Sequence, residues 1–165
     1  MVIYTGETQS GAPAVPISAT TSGYCWSNSE AAARSDAWRC TAGNNIHDPC
    51  FGSYGIDYVV CPDVGPWTGR AIEMRLTKPL PPGANQQVQA GLQGDPWALE
   101  LANGSTCEFL TGAGSLVAGL RENYSCSGHL ILYGDPSRSS RIWTIFGGAA
   151  NSPQLIEQKI RIAWF

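Results

Sequence analysis

A chain of 165 residues with a net charge of −3 and only 14% charged side chains carries no basic stripe, which excludes the electrostatics of a nucleic-acid binder. It contains no apolar run near the roughly 20 residues of a membrane helix. Nineteen glycines, eleven prolines, six tryptophans and six tyrosines with so little charge describe a turn-rich β protein.

The chain opens on Met1-Val2-Ile3-Tyr4 and runs straight into polar residues, so any leader is expected to have been removed ahead of it. From Gly6 to Gly23 the residues are almost all Gly, Ala, Pro, Ser and Thr. This composition predicts a flexible or extended arm over 1–23, followed by one β-rich domain over 24–165. Ser27-Asn28-Ser29-Glu30 before Ala31-Ala32-Ala33-Arg34 has the form of a capping box and predicts one or two helical turns. Gly43-Asn44-Asn45 and Asp48-Pro49 then mark turns.

The rest reads as strands. Ile72, Met74 and Leu76 alternate with Glu73, Arg75 and Thr77, and Ile160, Ile162 and Trp164 alternate with Lys159, Arg161 and Ala163. His129–Tyr133 and Arg141–Phe146 are further short apolar runs. One hairpin can be set in register. A three-residue loop, Ala102-Asn103-Gly104, pairs Leu99 with Cys107 and puts Trp97, Leu99, Leu101, Cys107 and Phe109 on one buried face. A two-residue loop would mix the faces. The expected fold is therefore an all-β sandwich or small barrel with a short helix or irregular segment in its Cys-rich N-terminal part.

Six cysteines, Cys25, Cys40, Cys50, Cys61, Cys107 and Cys126, include no Cys-x-x-Cys pair. An even set of this kind reads as a disulfide framework in an oxidising compartment, extracellular or in a cell envelope. Reduced thiols in the cytosol are the competing reading. Cys107–Cys126 is the expected bond in the second half. The other four allow three pairings, of which Cys40–Cys50 nested within Cys25–Cys61 is the favoured one. Zinc on Cys40, His47, Cys50 and Cys61 is a weaker alternative, because the tight knuckle spacing of structural zinc sites is missing.

No nucleophile elbow, phosphate loop or dinucleotide fingerprint occurs, and no cofactor is implied. His47-Asp48 is the sole His–carboxylate neighbour pair and the candidate for catalysis, although Asp48 before Pro49 also suits a structural turn. Glu100 and Glu108 could pair as in a glycosidase, but the hairpin register places them on a solvated face. Asn103-Gly104-Ser105 and Asn123-Tyr124-Ser125 match the glycosylation acceptor pattern. Trp67, in Gly65-Pro66-Trp67-Thr68-Gly69, is the leading binding residue, since an exposed indole can stack on a sugar or anchor a partner. Asp36 and Arg39 could add polar contacts, or form a local ion pair. Trp26 and Trp38 flank cysteines and are expected to pack on the disulfides, while Trp97, Trp143 and Trp164 are expected in the core.

Several phrases occur together: Gly23-Tyr24-Cys25-Trp26, Arg34-Ser35-Asp36-Ala37-Trp38-Arg39-Cys40, Asp48-Pro49-Cys50-Phe51, Val60-Cys61-Pro62 and Pro96-Trp97-Ala98-Leu99-Glu100-Leu101. Over roughly Gly23 to Trp143 the chain resembles a group of secreted or envelope-anchored bacterial proteins, actinobacterial in type. The resemblance implies export and a tether before Gly23; it brings no activity and no catalytic residues. The functional expectation is a non-catalytic binding module for a cell-wall glycan or an envelope protein. Two alternatives stand beside it. One is an envelope hydrolase using His47 or paired carboxylates. The other is a self-assembling protein whose C-terminal strand, ending in Trp164-Phe165, adds to a neighbour's sheet.

Overall fold

The computed structural model describes residues 1–5, 14–82, 94–150 and 152–165. It is all-β, with only single turns of 3-10 helix among the described residues, and three disulfides join its strands. The chain divides into two compact units, Ile3–Gly94 and Asp95–Phe165 with Met1–Val2, where one domain over 24–165 was expected.

The first unit is a closed barrel of five strands: β1 (Ile17–Asn28), β2 (Ala37–Ala42), β3 (Asn45–Phe51), β4 (Tyr58–Pro62) and β5 (Ala71–Leu76). Successive strands pair antiparallel, and β1 closes the ring by pairing parallel with β5 from Ile17↔Ala71 to Gly23↔Leu76. An odd number of strands in an up-and-down ring requires one such parallel seam. The arm expected over 1–23 is thus corrected at residues 17–23, which are strand; residues 6–13 lie outside the described residues. Thr20, Thr21, Tyr24 and Trp26 suit an extended backbone, and the main-chain bonds to β5 supply what a weakly apolar segment lacks. The helix expected after Ser27 does not form either. Ser29 Oγ accepts hydrogen bonds from the backbone N–H of Ala31 (3.0 Å) and Ala32 (2.8 Å), as a cap would, but the chain turns away into β2.

Inside this barrel, Cys25, Cys40, Cys50 and Cys61 pack with Trp38, Val59, Met74 and Leu80. The bonds are Cys25–Cys40 and Cys50–Cys61, with Cα atoms 3.8 and 4.1 Å apart. This corrects the nested pairing. The β2–β3 register sets Cys40 opposite His47 and Cys50 opposite Trp38, so Cys40 and Cys50 are out of step. Cys25 sits directly across from Cys40. The same bonds consume the thiols that a zinc site would need.

The second unit holds β6 (Ala98–Leu101), β7 (Thr106–Phe109), β8 (Leu116–Val117), β9 (Leu120–Cys126), β10 (Leu130–Ser137), β11 (Thr144–Ala149) and β12 (Ile156–Trp164). The order β10-β11-β12-β6-β7-β9-β8 is completed by a β10–β9 pairing, which closes a ring of six strands with β8 as a short ribbon on β9. Leu99 pairs with Cys107 across the three-residue loop, and Gly104 takes a φ of 86°, where glycine pays no steric penalty. Cys107 opposes Cys126 and is bonded to it. Leu99, Leu101, Tyr124, Leu132, Ile145 and Ile160 fill the interior around this disulfide. Trp97 and Trp164 are buried, and Trp143 is half-buried against Phe165. Along β12 a bulge between Ile160 and Ile162 shifts the phase of the expected alternation, so that Ala163 joins Ile160 in the core while Trp164, its neighbour on the opposite face, is buried as well.

Gly23 marks the tightest packing in the first barrel. A Cβ built there would overlap the Thr41 carbonyl oxygen and stand 2.8 Å from Met74 Sδ. Gly23→Ala is therefore expected to cost more than about 2 kcal/mol of unfolding free energy in urea titrations; an unchanged midpoint would contradict this packing.

Candidate ligand-binding site

The expected binding residues fall at opposite ends of the first barrel. Trp67 lies in a single 3-10 turn, Pro66–Thr68, between β4 and β5. Its ring is half-buried and folds back over Gly65, whose own Cβ position it occupies. It is thus a loop-closing indole and not the exposed ring the sequence suggested. Asp36 lies before β2, where Arg34 binds it bidentately at 2.6 and 2.9 Å; the Arg34 guanidinium also lies 4.6 Å above the Phe51 ring. Arg39 does not pair with Asp36. Its Nη1 donates to Glu30 Oε2 at 2.6 Å and to Asp48 Oδ2 at 3.1 Å.

Asp48 is the hub of that network. Its side chain is 7% exposed. Ser29 Oγ donates to Oδ1, and the Glu30 N–H donates to Oδ2 at 3.1 Å. Burial pushes the carboxyl above its ordinary range, against the pull of Ser29, the Glu30 amide and Arg39. The cis Asp48-Pro49 bond lies within β3, not in a turn, and the two residues together oppose Arg39 as a bulge. His47, the neighbour along the strand, is half-buried, and burial lowers its pKa, favouring the neutral ring. Successive residues of a strand project to opposite faces, and the Asp48 oxygens are committed to Ser29, Glu30 and Arg39. The arrangement anchors the β1–β2 connection; it does not orient His47 as a base.

The other candidates are also accounted for. Glu100 forms an ion pair with Arg161, and Glu108 is exposed opposite Ala98. Asn103 sits on an exposed turn, with its Oδ1 accepting from the Ser105 N–H. Asn123 is buried, bonded to Arg121 and Asp135, so no glycan can reach it in the folded chain. Trp26, expected on a disulfide, is 41% exposed on the outer face of β1; Trp38 alone takes the core position, with Nε1 donating to Gly52 O at 2.8 Å. β12 pairs with β11 through its first half and with β6 through its second, and Val2 pairs beside Trp164 at the end that was expected to add to a neighbour's sheet.

A concave site that the sequence reading missed lies at the end of the first barrel where β4 begins and β5 ends. A cavity of about 350 Å³ opens between the β3–β4 loop and the segment after β5, lined by Tyr54, Ile56, Asp57, Thr77, Lys78 and Leu80. This is within the size range of small-ligand pockets. Leu80 belongs to the disulfide-bearing core, so this wall of the cavity is continuous with the barrel interior. Tyr54 is 49% exposed. Its ring meets Trp38 edge-on at 5.5 Å, and its hydroxyl donates to Pro81 O at 2.9 Å. Asp57 pairs with Arg75 at 3.4 Å, and Lys78 Nζ lies 4.1 Å from the Tyr24 ring centroid. The sequence did carry a signal: Ser53-Tyr54-Gly55 is an aromatic in a glycine-flanked loop, as Trp67 is, and Lys78-Pro79-Leu80-Pro81 is a stiff exit from a strand.

Compared with protein-family models, curated proteins and solved structures, the chain matches none. Among the described residues, no helix is long and apolar enough to cross a membrane, and no three His, Cys, Asp or Glu side chains gather as metal ligands.

Asp48→Ala would leave the Ser29 hydroxyl and the Glu30 amide without their acceptor and half-release Arg39. The expected loss is about 2–4 kcal/mol in chemical denaturation. A loss under about 0.5 kcal/mol would mean that the network contributes nothing to holding the β1–β2 connection.

Proposed function

We propose that this protein is an exported, non-catalytic binding module of the extracellular space or cell envelope, and that its ligand sits in the cavity beside Tyr54. The observation that carries this reading is the cavity itself. It joins an aromatic face, an aliphatic floor at Leu80 and charged groups at its mouth, the combination that fixes and orients a small ligand. Three disulfides favour an oxidising compartment, as export requires. Asp48, the carboxylate with which a His47-based hydrolase would work, is occupied by Ser29, the Glu30 amide and Arg39, which weighs against catalysis there. The bacterial, envelope-linked setting implied by the resemblance over Gly23 to Trp143 suits a wall glycan or envelope protein as partner.

Retention on purified bacterial cell-wall material tests the site. Tyr54→Ala is expected to lose retention while keeping the far-ultraviolet dichroism of the parent, and Trp67→Ala is expected to be retained. Loss in Trp67→Ala with full retention of Tyr54→Ala would move the site to the β4–β5 loop and contradict the proposal.

A further inference from the structure

We propose that the ligand is an acidic saccharide, with its carboxylate or phosphate on Lys78, which rests on the Tyr24 ring, and its sugar rings on Tyr54 and Trp26; this rests on the binding reading of the cavity. The cavity does not end at its rim. Lys78 lines it and lies 4.1 Å from the Tyr24 centroid. Tyr24 and Trp26 are two residues apart on β1, share its outer face, and have ring centroids 6.5 Å apart. A path of aromatic surface therefore leaves the cavity and continues along the outside of the barrel.

Charge selects the ligand. Arg39 reaches the far ring, 5.9 Å from the Trp26 centroid, but its charge is spent on Glu30 and Asp48. The cavity's carboxylate, Asp57, is exposed and lies 3.4 Å from Arg75, which also pairs with Glu73 at 2.8 Å, so among the described residues Lys78 is the cation at the rim that no carboxylate shares. Among the described residues Lys78 has no carboxylate within ion-pair distance, so its ammonium keeps N–H donors for a ligand anion while the Tyr24 ring supports it. Rings of this kind present flat apolar faces to the C–H faces of sugars. A peptide would instead seek a free strand edge for main-chain pairing, and β5, the strand that leads to Lys78, is paired on both sides, with β4 and with β1.

Calorimetric titration of hexagalacturonate, pentamannose phosphate and neutral cellohexaose, with amide and indole NMR signals followed in parallel, tests this. At least one acidic probe should bind, shift the Tyr24, Trp26 and Tyr54 signals, and exceed cellohexaose by about tenfold or more. Lys78→Gln should bring it down to the level of cellohexaose, and Trp26→Ala should weaken it without touching the Lys78 dependence on salt. The two acidic probes separate carboxylate from phosphate. Failure of both, equal affinity for cellohexaose, or an unaffected Lys78→Gln would overturn the inference. If Tyr54→Ala still abolishes wall retention in that case, the cavity stands as the binding site and its ligand is neutral or a protein.

Discussion

Two disulfides packed against Trp38 hold the first barrel together. Cys25–Cys40 ties β1 to β2, and Cys50–Cys61 ties β3 to β4, so four of the five strands are joined in pairs. Each closes a loop of 11 to 15 residues and raises the unfolded state by about 3 kcal/mol in the chain-entropy account. The strands need it. β1 is mostly Ser, Thr, Ala and Gly, and β3 contains a proline and a bulge. The Trp38 indole shares the core with all four of these cysteines and donates its N–H to the carbonyl of Gly52, which starts the β3–β4 loop. That loop carries Tyr54. The route from covalent staple to candidate site is therefore short: disulfide, Trp38, Gly52, Tyr54.

The second barrel relies less on its single bond. Leu99, Leu101, Leu132, Ile145 and Ile160 supply apolar burial from four strands, and Cys107–Cys126 lies across directly paired strands within that core. Its candidate chemistry is absorbed by structure. Asn123 links Arg121 to Asp135, Arg138 bridges Asp95 to the Trp143 ring, and Glu100 meets Arg161. The exposed combination of Tyr54 and Trp26 with Lys78, which rests on the Tyr24 ring, belongs to the first unit.

What the sequence disclosed follows the range over which each interaction acts. The Leu99–Cys107 hairpin was legible because face, loop length and register depend on a dozen contiguous residues. The Gly6–Gly23 stretch was misread in part, since the strand character of residues 17–23 comes from β5, some fifty residues away, and not from local apolar content. The Cys40–Cys50 pairing could have been excluded from sequence. A hairpin turning at Gly43-Asn44 sets Cys40 against His47, and a bulge moves that by a single step. Tyr54 escaped notice because its value is tertiary: a tyrosine in a loop gains meaning only when Leu80 and Lys78 arrive from beyond β5 to complete the cavity. Asp36 and Arg39 do not form the local ion pair the sequence offered; their partners, Arg34 in one case and Glu30 with Asp48 in the other, depend on how the β1–β2 connection folds.

The central claim is that the first barrel is stapled as Cys25–Cys40 and Cys50–Cys61, which fixes the register behind both the core and the cavity. Mass mapping of peptides from protease digestion without reduction, with thiols blocked at acid pH, tests it most directly. The account predicts linked peptides joining Cys25 to Cys40, Cys50 to Cys61 and Cys107 to Cys126. Peptides joining Cys40 to Cys50 or Cys25 to Cys61, or blocked free thiols at any of the six, would contradict it.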